Sequence, residues 1–300
     1  MGRIRTCEAE AADLQSAGFD RSPTPPIRMG ILLLHMKDVN EKSLNREKIL
    51  SFLDINQNQR VNLEVFNQID STNSYLLKKD QEIDVFNVCA AEMQTKGRGR
   101  SGKSWESPKN SNIYFSIGTL LNETISDLDG FSILVALDIK KALKKLYEIN
   151  SQIKWPNDLY LNEKKFGGIL IETKIVNKKL LIIIGIGLNV YMEKNDFIDQ
   201  EWTSLHLENP SIEIDRNILI SQIVSEIAKD LNIFLKKGFK VFKKDFEKIN
   251  ILKNKKVFVS NYSEANCIAL DTNDDGSLNI LVDNVKKRVS SGEVSLKIQK

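Results

Sequence analysis

The sequence predicts an α+β protein, with a mixed body over residues 37–250 and a small all-β unit over 251–300. Three observations predict it. Apolar residues recur at helical spacing in three stretches, 43–54, 128–149 and 215–249. Runs rich in Ile, Val, Leu and Phe, bounded by Gly, Asn and Asp, fill much of 61–121 and 152–190. From about Ile251 the character changes, and "KKVFVS", "ANCIALDT", "SLNILVDN" and "EVSLKI" follow as short strands with the turn "NDDG" among them. No βαβ repeat is evident in the body.

Each element has its own justification. Residues 43–54 read as a short helix capped by Ser43, with Leu44, Ile49, Leu50 and Leu53 on one side. "VNLEVFNQID" (61–70) alternates Val61, Leu63 and Val65 and predicts a strand. "STNSYLLKKD" opens with capping residues and predicts a helix. "DVFNVCAAEMQ" (84–94) is a strand entering a glycine-rich loop, and "SNIYFSIGTLL" (111–121) is strand-like. A long amphipathic helix follows over 128–149, then successive strands joined by tight turns over 152–190, then helix over 215–249. The first 36 residues differ in composition, with four arginines but no lysine and no asparagine. Their "SPTPP" cluster blocks regular structure. We expect 1–36 to be a disordered leader or a vector-derived appendage, with a natural start at Met29 or Met36.

Composition narrows the function classes. A formal charge of +3 is too small to predict a nucleic-acid or membrane partner. Cys7, Cys89 and Cys267 lie far apart with no C-x-x-C, and there are two histidines, so neither a disulfide framework nor a Cys/His zinc site is supported. The longest apolar run, "LLIIIGIGL" (180–188), falls well short of the roughly 20 residues a membrane helix needs. The expectation is a cytoplasmic protein acting on neither DNA nor membrane.

"GRGRSGKS", from Gly97, matches the phosphate-binding pattern G-x-x-x-x-G-K-[ST] letter for letter. That loop works only at a helix N-terminus, where backbone amides and the dipole meet phosphate. Here "WESPKNSN" follows, and Pro108, Asn110, Ser111 and Asn112 end any helix before its second turn. No strand ending in Asp supplies a second magnesium ligand, since "LLIIIGIGLN" ends in Asn189. An RGG-like nucleic-acid contact fails too, because Trp105 is the only nearby aromatic. "GIGLNV" (185–190) lacks the third glycine of a dinucleotide fingerprint. What remains is a mobile cationic flap: Gly97, Gly99 and Gly102 make it flexible, and Arg98, Arg100 and Lys103 can meet an anion and exclude water.

Four motifs in order then resemble the biotin–protein ligases: "DSTNSYL" (70–76), "GRGRSGKSW" (97–105), "KWPNDLYLNEKKFGGILIE" (154–172) and "GIGLNV" (185–190). The resemblance runs from about residue 43 to the C-terminus and includes "GEVSL" (292–296). It implies a catalytic domain related to class II aminoacyl-tRNA synthetases and an SH3-like C-terminal barrel. It also implies ATP and biotin as substrates, Mg2+, a biotinyl-5′-AMP intermediate, and a lysine of the biotin carboxyl carrier protein as acceptor. A homodimer formed through the sheet is known in the family but is not read from these residues. An N-terminal winged helix-turn-helix is not expected, because only 42 residues precede the first catalytic helix and they include the proline cluster.

The resemblance also implies roles. Lys154, Arg100 and Lys165 are the catalytic candidates, with Lys165 matching the lysine that bridges carboxylate and phosphate. Ser71, Thr72, Gln94, Gly97, Arg98, Gly168 and Leu170 match positions that hold biotin. Arg100, Lys103, Lys154, Asn189 and Trp202 match the ATP side, with Trp202 placed to stack on adenine, and Asp158 is the candidate metal ligand. Bringing a carboxylate to a triphosphate requires cations to neutralise both, which suits this lysine and arginine set. Each residue has a plainer reading: Lys154 and Lys165 as surface lysines, Ser71 and Thr72 as helix caps, Trp202 as core. The rival functions are a lipoate–protein ligase-like acyl-adenylating enzyme, which should show an "RRxxGGG"-like segment, a P-loop NTPase, and a binding module without catalysis.

Overall fold

The computed structural model describes residues 43–55, 59–121, 128, 130–262, 266–291 and 296–298. The leader expected at 1–36 and most of "GEVSL" lie outside the described residues. Helix α1 spans Arg46–Ser51, and its cap is Asn45 rather than Ser43. Asn45 immediately precedes the first helical residue, so its Oδ1 can accept Lys48 N at 2.8 Å. Ser43 lies outside the cap and gives its carbonyl to Asn217 Nδ2 at 3.1 Å.

Strands β1 (Arg60–Phe66) and β2 (Val85–Ala91) are parallel and joined by α2 (Thr72–Lys78), so one βαβ unit exists after all. Ser71 caps α2, its Oγ accepting Ser74 N, as the sequence predicts. Then come β3 (Ile113–Leu121), α3 (Phe131–Tyr147), β4 (Gln152–Lys154), β5 (Asp158–Leu161), β6 (Lys164–Val176) and β7 (Lys179–Leu188). The seven strands make one mixed sheet in the order β1-β2-β3-β7-β6-β5-β4. A short helix α4 (Leu205–Glu208) is followed by α5 (Arg216–Lys237).

The single helix predicted over 215–249 is broken. Gly238 takes φ +68°, a conformation that ends helices, and a 3₁₀ turn leads into α6 (Lys243–Glu247). The apolar spacing continues across the break because Phe239, Phe242 and Phe246 are all buried on the same side. Sequence periodicity therefore passes over the turn without showing it.

The sheet separates two cores of unequal size. Helices α3 and α5 cover one face with the large core, to which Phe86, Val88, Ile113, Phe115, Ile182 and Ile184 contribute. Helix α2 covers part of the other, where Leu76, Cys89, Leu120, Leu181 and Ile183 form a smaller cluster. The unit after Ile251 is a five-stranded antiparallel sheet in the order β11-β10-β9-β8-β12. Its strands are β8 (Lys256–Val259), β9 (Cys267–Thr272), β10 (Leu278–Val282), β11 (Val285–Val289) and β12 (Leu296–Ile298). It is bolted to the body rather than tethered: Val257, Ala269 and Leu278 join the large core, and Trp155 Nε1 donates to Gly276 O at 2.9 Å. Among the described residues no helix is long and apolar enough to cross a membrane.

Candidate active site

The site arises from a change of side-chain size along one face of β7. Alternate residues of a strand share a face, and on β7 the face beneath α2 reads Leu181, Ile183, Gly185, Gly187. Apolar bulk gives way to two glycines, and the sheet surface opens. Cross-strand register then assembles a row across five strands: Tyr114 faces Gly187, Gly187 faces Gly168, Gly168 faces Asp158 and Asp158 faces Lys154. The neighbouring row places Ser116, Gly185 and Leu170 side by side. Both glycines are needed for contact. A Cβ on Gly185 would lie 2.3 Å from Asn73 Oδ1, and one on Gly187 would lie 2.6 Å from the Trp105 indole.

Over this floor sits a cavity of about 300 Å³. Ser71, Thr72 and Gln94 form a neutral polar end, while Arg98, Arg100 and Lys103 approach from the flap and Lys154, Lys165 and Asp158 from the strands. Gly168 and Leu170 line it as well. Five cationic side chains thus meet one carboxylate among its lining residues, so the cavity favours an anionic ligand.

The flap is a hairpin-like loop. Trp105 N donates to Gly97 O at 2.9 Å and Gly99 N to Lys103 O at 2.7 Å. Ser101 and Gly102 turn it with φ of +54° and +74°. Between Ser104 and β3 the chain makes a turn over residues 109–111 but no helix, so the P-loop match has no helix N-terminus to work with. Arg100 reaches from the flap to Asn157 Oδ1 at 2.9 Å and also donates to Ser291 O, in the turn after β11. Burial pulls its pKa down, and the nearby Asp158 carboxylate opposes that. Lys165 Nζ pairs with Asp158 at 2.7 Å and stands 5.6 Å from the Trp105 ring centroid, over its face. Lys154 Nζ lies 5.9 Å from the Tyr160 ring centroid.

Three predicted site residues stand apart from the lining. Gly97 serves the loop's own closure: its missing Cβ would fall 2.3 Å from Trp105 O. Asn189 is buried, and its Nδ2 donates to Thr203 O at 3.1 Å. Trp202 pairs its backbone with that of Lys165 at the edge of β6. Conversely, sequence reasoning missed Asn73, Trp105, Asn157, Gly185 and Gly187 as lining residues. Trp105 is the most informative of these. Its indole lies against Lys165, Gly168 and Gly187, and its Nε1 is buried with no hydrogen-bond partner among the described residues. A period-two reading of "LLIIIGIGL" would have found the glycine face.

Asp158 does not by itself make a metal site. Its carboxylate is held by Lys165, and no cluster of three His, Cys, Asp or Glu among the described residues could hold an ion.

The chain is similar to several known proteins. Residues 65–189 match the biotin/lipoate A/B protein ligase family. The Escherichia coli bifunctional ligase/repressor BirA is 32% identical over 258 residues, covering 85% of this chain and 78% of that protein. The biotin–[acetyl-CoA-carboxylase] ligase of Mycobacterium tuberculosis is 32% identical over 172 residues, covering 55% of this chain and 62% of that one. Among solved structures, the Aquifex aeolicus biotin protein ligase in complex with biotin and ATP superposes with a TM-score of 0.70 at 31% identity, covering 79% of this chain and 99% of that one. Likeness at that identity and coverage takes in both the sheet and the flap above it, and the chain belongs to the biotin/lipoate protein ligase family as a biotin–protein ligase.

Proposed function

We propose that this enzyme joins biotin to ATP as biotinyl-5′-AMP and passes the biotinyl group to a lysine of the biotin carboxyl carrier protein of acetyl-CoA carboxylase. The observation that carries the reading is the cavity's lining, which combines uncharged polar groups, Ser71, Thr72 and Gln94, with the cations Arg100, Lys103, Lys154 and Lys165. Biotin has the matching form, with an uncharged ureido ring at one end and a carboxylate at the other. In the first step a carboxylate oxygen attacks the α-phosphorus and the bond to pyrophosphate breaks. In the second, the acceptor's neutral amine attacks the acyl carbon, AMP leaves, and the amine's proton is lost to solvent.

Lys165 and Lys154 are assigned to the charge building between carboxylate and α-phosphate, and Arg100 and Lys103 to the phosphates under the closed flap. Ser71, Thr72, Gln94 and Arg98 grip the ureido ring, with Gly168, Leu170 and Trp105 walling it. Trp202, beside Lys165, is placed to stack on adenine, and Asn189 acts on the nucleotide by fixing that segment through Thr203. Magnesium would arrive with the nucleotide's phosphates, since the described residues include no cluster of three His, Cys, Asp or Glu that could hold it. The large sheet and helices over residues 37–250 are assigned as a class II synthetase-like catalytic domain, and 251–300 as an SH3-like barrel.

ATP–pyrophosphate exchange with biotin, lipoate or no acid tests the reading. Exchange should appear only with biotin. Lipoate-dependent exchange would move the enzyme to the sister activity, and ATP hydrolysis without any acid would revive the P-loop. A second expectation concerns the floor. In Gly187→Ala the new methyl overlaps the Trp105 indole, so KM for biotin should rise at least about tenfold, the scale of a lost buried contact. An unchanged KM would remove Trp105 from the biotin wall.

A further inference from the structure

A chain of polar groups leads from half-buried Glu172 through buried Asn73 and Ser116 to Thr72, and the roles assigned above leave Glu172, Asn73 and Ser116 unused. Glu172 Oε2, on β6, accepts from Arg98 Nη2 and from Asn73 Nδ2, each at 2.8 Å. Asn73 Nδ2 also reaches Leu170 O at 3.4 Å. With its amide nitrogen turned to a carboxylate and a carbonyl, Asn73 must present its oxygen on the other side. There the fully buried Ser116 Oγ lies 2.5 Å from Asn73 Oδ1 and 2.7 Å from Thr72 Oγ1.

Serine has one proton, and an amide oxygen can only accept. Ser116 therefore donates to Asn73, and the short contact between the two hydroxyls requires Thr72 to donate to Ser116. Gln94 is fixed as well. Its Oε1 accepts Thr72 N at 2.9 Å, while its Nε2 faces Ser107 Oγ at 3.2 Å, and Ser107 donates to Trp105 O at 3.0 Å. Thr72 Oγ1 stands 3.1 Å from Gln94 Oε1. With the Thr72 proton committed to Ser116, both oxygens keep a lone pair.

The geometry points to Glu172, Asn73 and Ser116 as positioning residues that set the ligand's specificity. They fix the direction of this hydrogen-bond chain so that Thr72 and Gln94 present two adjacent acceptors to the cavity. Two acceptors 3.1 Å apart can share one N–H of a cyclic urea and offer nothing to a ring that has none. Glu172 sets the polarity as the nearer of two groups without a donor of their own, at 2.8 Å against 3.4 Å for the Leu170 carbonyl. If it is made neutral, Asn73 can reverse, Ser116 can turn to Thr72, and Thr72 then becomes a competing donor. Arg98 shares the same carboxylate oxygen, so the flap and the grip are joined at one atom. The inference rests on the assignment of Thr72 and Gln94 to biotin.

The test is titration calorimetry of the full chain with biotin alone, for the wild type and for Thr72→Val, Ser116→Ala, Glu172→Gln and the Ser116→Ala/Glu172→Gln double variant. Ser116→Ala should weaken biotin by about tenfold to a hundredfold, the cost of an unmet buried hydrogen bond. Glu172→Gln should weaken it about tenfold, and the double variant should be no worse than Ser116→Ala, because both act through one chain. For Ser116→Ala the ATP KM should stay near the wild type, and the melting temperature should fall by no more than about 10 °C. A biotin analogue with both ureido N–H groups replaced by oxygen should bind the wild type at least about tenfold more weakly, with a much smaller difference for Ser116→Ala. If Thr72→Val weakens biotin and Ser116→Ala does not, the relay is wrong and the grip stands. If Thr72→Val leaves biotin unchanged, the grip is wrong and the relay falls with it. Equal loss of both ligands with a large drop in melting temperature would make Ser116 a packing residue and overturn the proposal.

Discussion

Replacing Lys165 by alanine is expected to slow biotin-dependent pyrophosphate exchange by about one to two orders of magnitude, the value of a charge-assisted hydrogen bond. Its ammonium is held on two sides, by Asp158 at 2.7 Å and by the Trp105 face at 5.6 Å. An anion entering the cavity meets a cation that is already placed and partly desolvated, so little reorganisation is left for the reaction. The loss should fall on adenylate formation. Transfer from pre-formed biotinyl-AMP to the carrier should be slowed far less, because the anionic attack is then over. Quench-flow measurement of the two half-reactions decides it. Equal slowing of both would mean that Lys165 only holds the adenylate, and no slowing would leave the role to Lys154. Lys165→Arg should recover part of the rate, since it restores charge to a site shaped for a narrower head group.

The second large effect concerns stability. Glu92 and Arg216 form a buried bidentate pair, Nη1 to Oε2 at 2.7 Å and Nη2 to Oε1 at 3.2 Å. The same carboxylate accepts Leu44 N, and Arg216 Nη1 donates to Asn112 O at 2.9 Å. The approach to α1, the residue after β2, the residue before β3 and the first turn of α5 thus meet at one ion pair. Glu92→Ala strands a buried guanidinium and should cost about 3–5 kcal/mol. For a chain of this size that lowers the melting temperature by about 6–20 °C. Adding Arg216→Met should restore most of it, since the charge that needed a partner is gone. A fall under about 1 kcal/mol in the single variant would show that water reaches the pair. Gln94 follows Glu92 by two residues, so loosening there should also weaken biotin.

Much of the site was legible because its residues lie in short motifs with their chemistry on the surface of the text. "GRGRSGKSW" and "KWPNDLYLNEKKFGG" carry the cations, and Arg98, Arg100, Lys103, Lys154 and Lys165 do converge on one cavity. The rejection of the P-loop was legible too, because Pro108 and its neighbours forbid the helix that loop requires. Asn189 and Trp202 were harder. The resemblance implies a place near the nucleotide for both, but only the fold shows Asn189 turned inward to Thr203 and Trp202 paired with Lys165 at a strand edge. The break at Gly238 was invisible because buried phenylalanines continue the helical rhythm on both sides of it.

By itself the sequence determined the element types, the cationic flap, and the family to which its motifs belong, since these are set by local pattern and spacing. Tertiary structure alone decided which distant residues became partners. Glu92 found Arg216, Ser116 found Asn73 and Thr72, and Trp105 settled over Gly187, each across 43 or more positions of chain. The physical reason is register. A strand's face is fixed by the pairing it adopts, and β7 adopts the pairing that buries Ile182, Ile184 and Ile186 in the large core with α3 and α5. That choice, made for the core, turns Gly185 and Gly187 to the other side and opens the floor on which the chemistry sits.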